Sequence, residues 1–162
     1  MRLVVLGHGY SAGFLTRLLV PQGWAVTGTT RDDPARVASA GAQPLLWPGD
    51  EAAIRTELAR ADAILVSAGP GPEGDPALRD FAEAIAASPA RWLGYLSTTG
   101  VYGDRDGGWV DEDSVLDGSG PRGQARIAAE GAWQDLARAH DLPLHIFRLA
   151  GIYGPGRGPF QK

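Results

Sequence analysis

Short, continuous apolar runs rich in Val, Ile and Leu alternate with amphipathic stretches along the whole chain. Apolar runs of this kind are typical of strands covered on both faces, and the stretches between them carry helical spacing. The pattern predicts strands at 2–7, 24–30, 42–48, 61–69, 91–99 and 142–151. It predicts helices at 11–22, 34–40, 51–60, 76–88 and 120–140. Regular alternation implies right-handed crossovers and therefore a parallel, doubly wound α/β sheet.

Two connections, 69–76 and 103–121, are too long and too rich in glycine to be simple turns. Long loops at strand ends commonly carry binding and catalytic residues. Asp50 and Asp75 occupy expected helix N-cap positions, and Pro76 suits the first turn of a helix.

The first strand runs into a glycine turn with the sequence GHGYSA at 7–12, followed by Gly13. Gly7 permits a tight turn, Gly9 allows a pyrophosphate to approach the backbone, and Ala12 or Gly13 lets the helix pack closely. The helix N-terminus supplies free N–H groups for phosphate, and His8 is expected to face solvent or that phosphate. This strand–turn–helix context predicts a dinucleotide site made by Gly7, Gly9, Tyr10, Ser11, Ala12 and Gly13. The alternative is a glycine turn kept only for packing.

The second predicted strand ends in GTTR at 28–31, where an NAD-binding protein would carry Asp or Glu for the ribose. Thr30 leaves room and Arg31 is suited to a 2′-phosphate, which favours NADP, with NAD still possible. The alternative is that Arg31 is solvated and that Asp32 or Asp33 holds the ribose. Asp50 is a candidate for the adenine edge, although an N-cap role explains it equally well.

Two later motifs, LSTTGVYGD at 96–104 and FRLAGIYGPGR at 147–157, complete a family pattern with the glycine turn. Together they resemble the extended short-chain dehydrogenase/reductase superfamily, in its NAD-dependent epimerase/dehydratase-like branch. The resemblance implies a Rossmann-type sheet of order 3-2-1-4-5-6 with the cofactor across the carboxyl ends of the strands. It implies further cofactor contacts from Ala68, Gly69, Ser97, Leu149, Ala150 and Gly151.

The resemblance also assigns catalytic positions, and here the chain departs from the family. Thr98 matches the hydroxyl residue that hydrogen-bonds the reacting oxygen, but Arg122 and Arg126 stand where the family has its Tyr-x-x-x-Lys pair. Arginine is not deprotonated in proteins, so neither can act as a general base. Arg122 could stabilise an alkoxide, and Arg126 could hold a ribose hydroxyl or a phosphate.

The departure leaves two functions open. One is an oxidoreductase-like, NADP-preferring protein with a degenerate active site that acts, if at all, on a small carbonyl or hydroxyl substrate. The other is a non-catalytic NADP-binding sensor or partner-binding module. In the family, helices matching 76–88 and 120–140 pair across a dimer axis, and Ile127, Ala128, Trp133 and Leu136 are candidates for that contact.

Composition narrows these options. A formal charge of −4 argues against nucleic acid and anionic membranes as partners, and no apolar run approaches the length of a membrane span. The chain has no cysteine and three scattered histidines, which predicts no metal site. Its one lysine is Lys162, which excludes a mechanism that needs an internal lysine. We expect a cytoplasmic, single NAD(P)-binding domain over 1–162, without the family's C-terminal substrate-binding lobe.

Overall fold

The computed structural model describes residues 1–158, so Lys162 lies outside the described residues. Every predicted strand and helix is present. The strands are β1 (Arg2–Leu6), β2 (Ala25–Thr30), β3 (Gln43–Leu46), β4 (Ala63–Val66), β5 (Leu93–Thr98) and β6 (Leu144–Leu149). The helices are α1 (Tyr10–Leu19), α2 (Pro34–Ser39), α3 (Glu51–Leu58), α4 (Pro76–Ala86) and α5 (Gly120–His140). Two 3-10 helices, Val20–Gln22 and Thr99–Tyr102, follow α1 and β5.

The six strands form one parallel sheet in the order β3-β2-β1-β4-β5-β6. This confirms the predicted Rossmann-type architecture. The chain builds outward from β1 to β3 and then returns to place β4 on the other side of β1. At such a reversal the connections leave in opposite directions, which opens a crevice at the carboxyl ends of the central strands.

Both faces of the sheet are covered, which explains the continuous apolar runs of the sequence. In β1, Val4 and Leu6 pack into a core layer with α3, α4 and α5, while Leu3 and Val5 pack into a second layer with α1 and α2. Successive side chains of a strand point to opposite faces, so a strand with two covered faces needs apolar residues at every position. Among residues 1–158, no helix is both long and apolar enough to cross a membrane.

Trp133 of α5 belongs to this core and not to an outer face. Its side chain is fully buried, and its indole N–H donates to Asp75 Oδ2 at 3.2 Å. The expectation that Trp133 contributes to a dimer contact is therefore wrong for this fold. Pairing of helices 76–88 and 120–140 between two copies stays a prediction.

The two predicted N-caps differ. Asp75 caps α4, since Oδ1 accepts from the N–H groups of Ala77 at 2.9 Å and Leu78 at 3.2 Å. Asp50 occupies the N-cap position of α3, but its carboxylate accepts from the N–H of Leu46 at 2.7 Å and makes no cap bond. It closes the turn after β3 instead.

A buried ion pair fastens α5 to the sheet. The Glu130 carboxylate, 1% exposed, accepts from Arg148 Nη2 at 2.9 Å and from the Ser97 hydroxyl at 2.5 Å. Arg148 also donates to the hydroxyl of Tyr102 at 2.9 Å. One network therefore joins α5, β5, β6 and the 3-10 helix after β5.

We predict that Glu130→Ala lowers the free energy of unfolding by about 3–5 kcal/mol, because it leaves the Arg148 guanidinium, only 15% exposed, without its partner. Denaturant unfolding followed by circular dichroism measures this. The matched control is Asp135→Ala, which breaks an ion pair with Arg138 whose two side chains are each 72% exposed. Exposed pairs contribute less than about 1 kcal/mol, so equal losses in the two variants would contradict the assignment.

Candidate nucleotide-binding site

A cleft of about 740 Å³ lies at the carboxyl ends of β1, β2 and β4. Its walls are the glycine turn, the residues after β2, the turn after β3 and the loop after β4. Six of the predicted cofactor-binding residues line it: Gly7, Gly9, Thr30, Arg31, Ala68 and Gly69. The volume is typical of small-molecule and cofactor sites, and the position is the switch point of the sheet.

Gly7 is required by the packing of the protein itself. Its φ is +88°, and a Cβ there would lie 2.6 Å from the backbone nitrogen of Ala68. The Gly7 N–H donates to Thr29 Oγ1 at 2.7 Å. The turn is thereby held against the ends of both β2 and β4.

Gly9 differs, because the described residues give no packing reason for it. Its φ is −97°, and a Cβ there would meet nothing closer than the Gly7 carbonyl oxygen at 4.0 Å. A side chain at this position would fit the fold and occupy open space at the cleft. The absence of a side chain instead leaves room for a ligand to approach the backbone.

The N-terminus of α1 follows directly after Gly9. No side chain caps it, so the first-turn N–H groups, including those of Tyr10 and Ser11, have no side-chain acceptor. Ala12 is 1% exposed and packs in the core layer with Val5, where a small side chain allows close approach of helix and sheet. Uncapped N–H groups beside a glycine turn favour an anion such as a pyrophosphate.

His8 does not face solvent or a phosphate, so that expectation is wrong. Its side chain is buried between α1 and β2, with Nε2 2.8 Å from Thr16 Oγ1. A Cβ on Gly28 would lie 2.5 Å from His8 Cδ2, so the glycine of GTTR makes room for this ring. Burial lowers the pKa of His8, and the nearby charges of Arg36 and Arg17 act in the same direction.

Two arginines stand beside the cleft after β2. Arg31 is exposed at its wall, as the sequence suggests. Arg36 of α2 also lines the cleft and donates from Nη1 to the His8 carbonyl at 2.6 Å. Sequence analysis missed Arg36 because it lies beyond the strand-end motif. Asp33 caps α2, which leaves Asp32 as the lining carboxylate of this segment.

The opposite wall carries Trp47, Arg79 and Asp80. The Trp47 indole N–H donates to Asp80 Oδ2 at 2.9 Å, and Arg79 Nε donates to Asp80 Oδ1 at 2.8 Å. The hydrogen bonds from Arg79 lower the pKa of the Asp80 carboxyl. Asp50, the predicted adenine contact, is not among the lining residues, whereas Asp80 and Glu73, both bonded to Arg79, line the cleft.

The predicted catalytic residues lie at the same edge of the sheet, outside the cleft lining. Thr98 ends β5, and its Oγ1 accepts from the Gly100 N–H at 3.1 Å. Arg126 donates from Nη1 to the Leu96 carbonyl at 2.6 Å, and its Nη2 lies 2.8 Å from where Gly69 would carry a Cβ. The guanidinium therefore reaches the cleft at Gly69, while Arg122, one turn earlier in α5, is exposed.

Tyr95, also beside Arg126, is not suited to act as a general base. Its hydroxyl lies 3.2 Å from Arg126 Nη1, and burial raises its pKa, so the phenol stays protonated at neutral pH. Ser97 is buried, and its hydroxyl is used by Glu130.

The segment after β6 returns to the glycine turn. Leu149 ends β6, and Ala150 and Gly151 follow it in an exposed position. Further along, the Pro155 carbonyl accepts from the Tyr10 hydroxyl at 3.0 Å. Within residues 1–158, no group of three or more His, Asp or Glu side chains is placed to hold a metal ion.

No family model matches the chain. Among curated proteins, the protein YeeZ of Escherichia coli K12 is 28% identical over 174 residues, covering 98% of this chain and 61% of its own length. A functionally unknown conserved protein from Silicibacter pomeroyi has a similar structure, with a TM-score of 0.90 and 50% identity. That match covers 98% of this chain and 55% of the other. The chain thus spans little more than half the length of the relatives it matches.

A further similar structure is that of a proposed NAD-dependent epimerase/dehydratase from Methylobacillus flagellatus. It is 29% identical, with a TM-score of 0.77, and the match covers 96% of this chain and 56% of the other. UDP-glucuronic acid 4-epimerase and UDP-glucose 4-epimerase structures also match at 18–20% identity, some of them solved with NAD. These last likenesses show the shared fold alone. The Methylobacillus flagellatus structure supports the resemblance to the epimerase/dehydratase branch.

The buried His8 predicts a pH dependence of stability. Because its folded-state pKa lies below the unfolded value near 6.5, the unfolded chain binds the proton more readily. The stabilisation is complete above about pH 6.5 and is lost as the pH falls through the folded-state pKa. We expect the free energy of unfolding to fall less steeply with decreasing pH in His8→Gln than in the wild type.

Denaturant unfolding at a series of pH values between 5 and 8 measures this slope. His145→Gln, at an exposed histidine, is the matched control for replacing an imidazole by an amide. Identical slopes for wild type and His8→Gln would show that His8 is not buried as described.

Proposed function

We propose that the chain is the NAD(P)-binding domain of an oxidoreductase-like protein of the epimerase/dehydratase-like group, with NADP as the preferred cofactor. The observation that carries this proposal is the open space over Gly9, beside the uncapped N-terminus of α1 and at the switch point of the sheet. The fold explains Gly7 without a ligand, but it does not explain Gly9. A pyrophosphate lying against the backbone would explain it.

The residues along the cleft fit an extended dinucleotide. Phosphate oxygens would accept from the N–H groups of the first turn of α1. An adenosine would extend between the end of β2 and the wall of Trp47 and Asp80. The nicotinamide half would pass Gly69, and Arg126, whose guanidinium reaches this position, would donate to a ribose hydroxyl.

Preference for NADP rests on the charges at the end of β2. Arg31 lines the cleft where a 2′-substituent of the adenosine ribose would lie, and a guanidinium recognises phosphate by charge-assisted hydrogen bonds. Asp32 supports the opposite preference, because a carboxylate accepts from a free 2′-hydroxyl and repels a phosphate. Comparing the affinities for NADP and NAD therefore decides whether Arg31 or Asp32 sets the cofactor preference.

The site offers fewer residues suited to chemistry on a substrate than to cofactor binding. When bound, a nicotinamide cofactor supplies hydride transfer. Thr98 would donate a hydrogen bond to the substrate oxygen, and Arg122 would stabilise negative charge on it. Neither side chain acts as a general base at neutral pH, so a small carbonyl compound is a better proposed substrate than a nucleotide sugar.

The alternative is a binding module without turnover, a cofactor-dependent sensor or partner-binding subunit. The specific observation in its favour is Arg126, whose guanidinium is fixed by the carbonyl of Leu96 and the hydroxyl of Tyr95. A side chain anchored in this way can position a ribose but contributes no proton. This module would bind cofactor tightly and exchange no hydride.

We expect calorimetric titration to show micromolar binding of NADP and weaker binding of NAD. Arg31→Ala should weaken NADP binding by about 1–3 kcal/mol, the size of a charge-assisted contact, and leave NAD binding nearly unchanged. Asp32→Ala is the matched control at the adjacent lining residue and should not weaken NADP binding. Binding of neither nucleotide by the wild type would contradict the proposed function.

Turnover separates the two functional alternatives. If the protein is an enzyme, stereospecific hydride transfer from labelled NADPH to a small carbonyl compound should be detectable, and Thr98→Ala should abolish it. The double substitution Arg122→Tyr with Arg126→Lys should increase the rate, because it restores the acid–base pair at the positions the resemblance assigns. Tight NADPH binding without hydride transfer in either protein would favour the binding module.

A further inference from the structure

Arg36 is held in an unusual way for an exposed arginine. Its side chain is 45% exposed, yet Nη1 donates to the His8 carbonyl at 2.6 Å, and Nε lies 3.5 Å from Asp33 Oδ2. These contacts fix the guanidinium between the glycine turn and the start of α2. Fixing a side chain in the free protein removes much of the entropy cost of using it in binding.

The contact to His8 leaves part of the guanidinium free to bind a ligand. Within residues 1–158, Nη2 of Arg36 donates to no protein acceptor, and the residue lines the cleft on the same wall as Thr30 and Arg31. A guanidinium carries five N–H donors in a planar fork. The arrangement therefore presents unused donors at the end of β2 without requiring the side chain to move.

The carbonyl that Arg36 binds belongs to the glycine turn itself. A carbonyl oxygen beside the cleft carries a partial negative charge that opposes an anionic ligand. A guanidinium bound to that oxygen offsets this charge and adds a positive charge on the cleft side. Asp33 offsets part of this positive charge from the Nε side of the guanidinium, and its carboxylate also accepts from the backbone N–H of Arg36 to cap α2.

We propose that Arg36 is a specificity-determining residue that bridges the glycine turn and the 2′-phosphate of NADP. One edge of its guanidinium stays on the His8 carbonyl, and the free edge donates to the phosphate, with Arg31 on its other side. The selection of NADP over NAD then depends on a pre-positioned arginine, and Arg31 supplies a second, mobile contact. This inference rests on the proposed function, because it concerns the same cofactor.

The first test compares NADP and NAD binding by calorimetry in wild type, Arg36→Ala and Arg36→Lys. We expect Arg36→Ala to weaken NADP binding about tenfold or more and NAD binding about twofold or less. Arg36→Lys should lose most of the same NADP affinity, because an ammonium retains the charge but lacks the planar fork needed for both contacts. Arg138→Ala, at an exposed arginine near the end of α5, is the control and should change neither affinity.

The outcomes separate the inference from the function on which it rests. If the wild type binds neither nucleotide, the proposed function fails and the inference with it. If the wild type binds NADP and Arg36→Ala binds it equally well, only the inference is overturned. Equal losses of NADP and NAD affinity would also overturn it, since they would show that Arg36 maintains the conformation of the glycine turn and does not recognise the 2′-phosphate.

A second readout reports on the phosphate directly. A phosphate monoester has a second pKa of about 6, and a hydrogen-bonded guanidinium lowers this pKa. Phosphorus NMR of bound NADP should therefore give a lower pKa for the 2′-phosphate in the wild type than in Arg36→Ala, at cofactor concentrations that saturate both. Equal values would show that Arg36 does not contact the phosphate.

Discussion

The close approach of the glycine turn to the ends of β2 and β4 is the constraint on which the site depends. Gly7 lies so near the backbone of Ala68 that no Cβ fits, and its N–H is bonded to the Thr29 side chain. The N–H of His8 donates to the Thr29 carbonyl at 2.7 Å. These contacts leave the turn little freedom to move. The following residue, Gly9, and the start of α1 are thereby fixed at the mouth of the crevice.

A second constraint, the ion pair between Glu130 and Arg148, positions the helix that carries Arg122 and Arg126. Burial of the Glu130–Arg148 pair costs desolvation energy, but the pair is bonded to Ser97 and Tyr102 and so fixes how α5 lies on β5 and β6. Arg122 and Arg126 lie two turns and one turn before Glu130, on the same side of α5. The ion pair therefore helps to set where these arginines lie relative to the cleft, although the pair itself lies away from it.

The architecture could be predicted from the sequence because each of its signals is local. Apolar runs identify strands, glycine and Asp–Pro positions identify turns and helix starts, and the family resemblance supplies the strand order. Side-chain partners could not be predicted in the same way. The burial of His8 depends on Thr16 and Gly28, and the turn contact of Asp50 depends on how the chain bends after β3. Only tertiary structure brings these groups together.

Arg36 illustrates the same limit at the candidate site. It lies outside every motif, on a short helix, and its relation to the glycine turn spans 28 positions of sequence. Arg31 is predicted from the sequence because the residue after the second strand contacts the adenosine ribose in dinucleotide-binding folds. Trp133 shows the converse case, since an aromatic residue on a helix can serve the core or an interface equally well. The hydrogen bond from its indole N–H to Asp75 and its complete burial show that Trp133 belongs to the core.

A dinucleotide bound as we propose would lie against the backbone at Gly9 and the first turn of α1. Amide hydrogen exchange followed by NMR, with and without saturating NADP, tests it most directly. We predict that exchange at the N–H groups of Tyr10, Ser11 and Ala12 slows on binding more than at the first-turn amides of α3. Unchanged exchange at these three amides, with NADP bound and protection elsewhere, would contradict it.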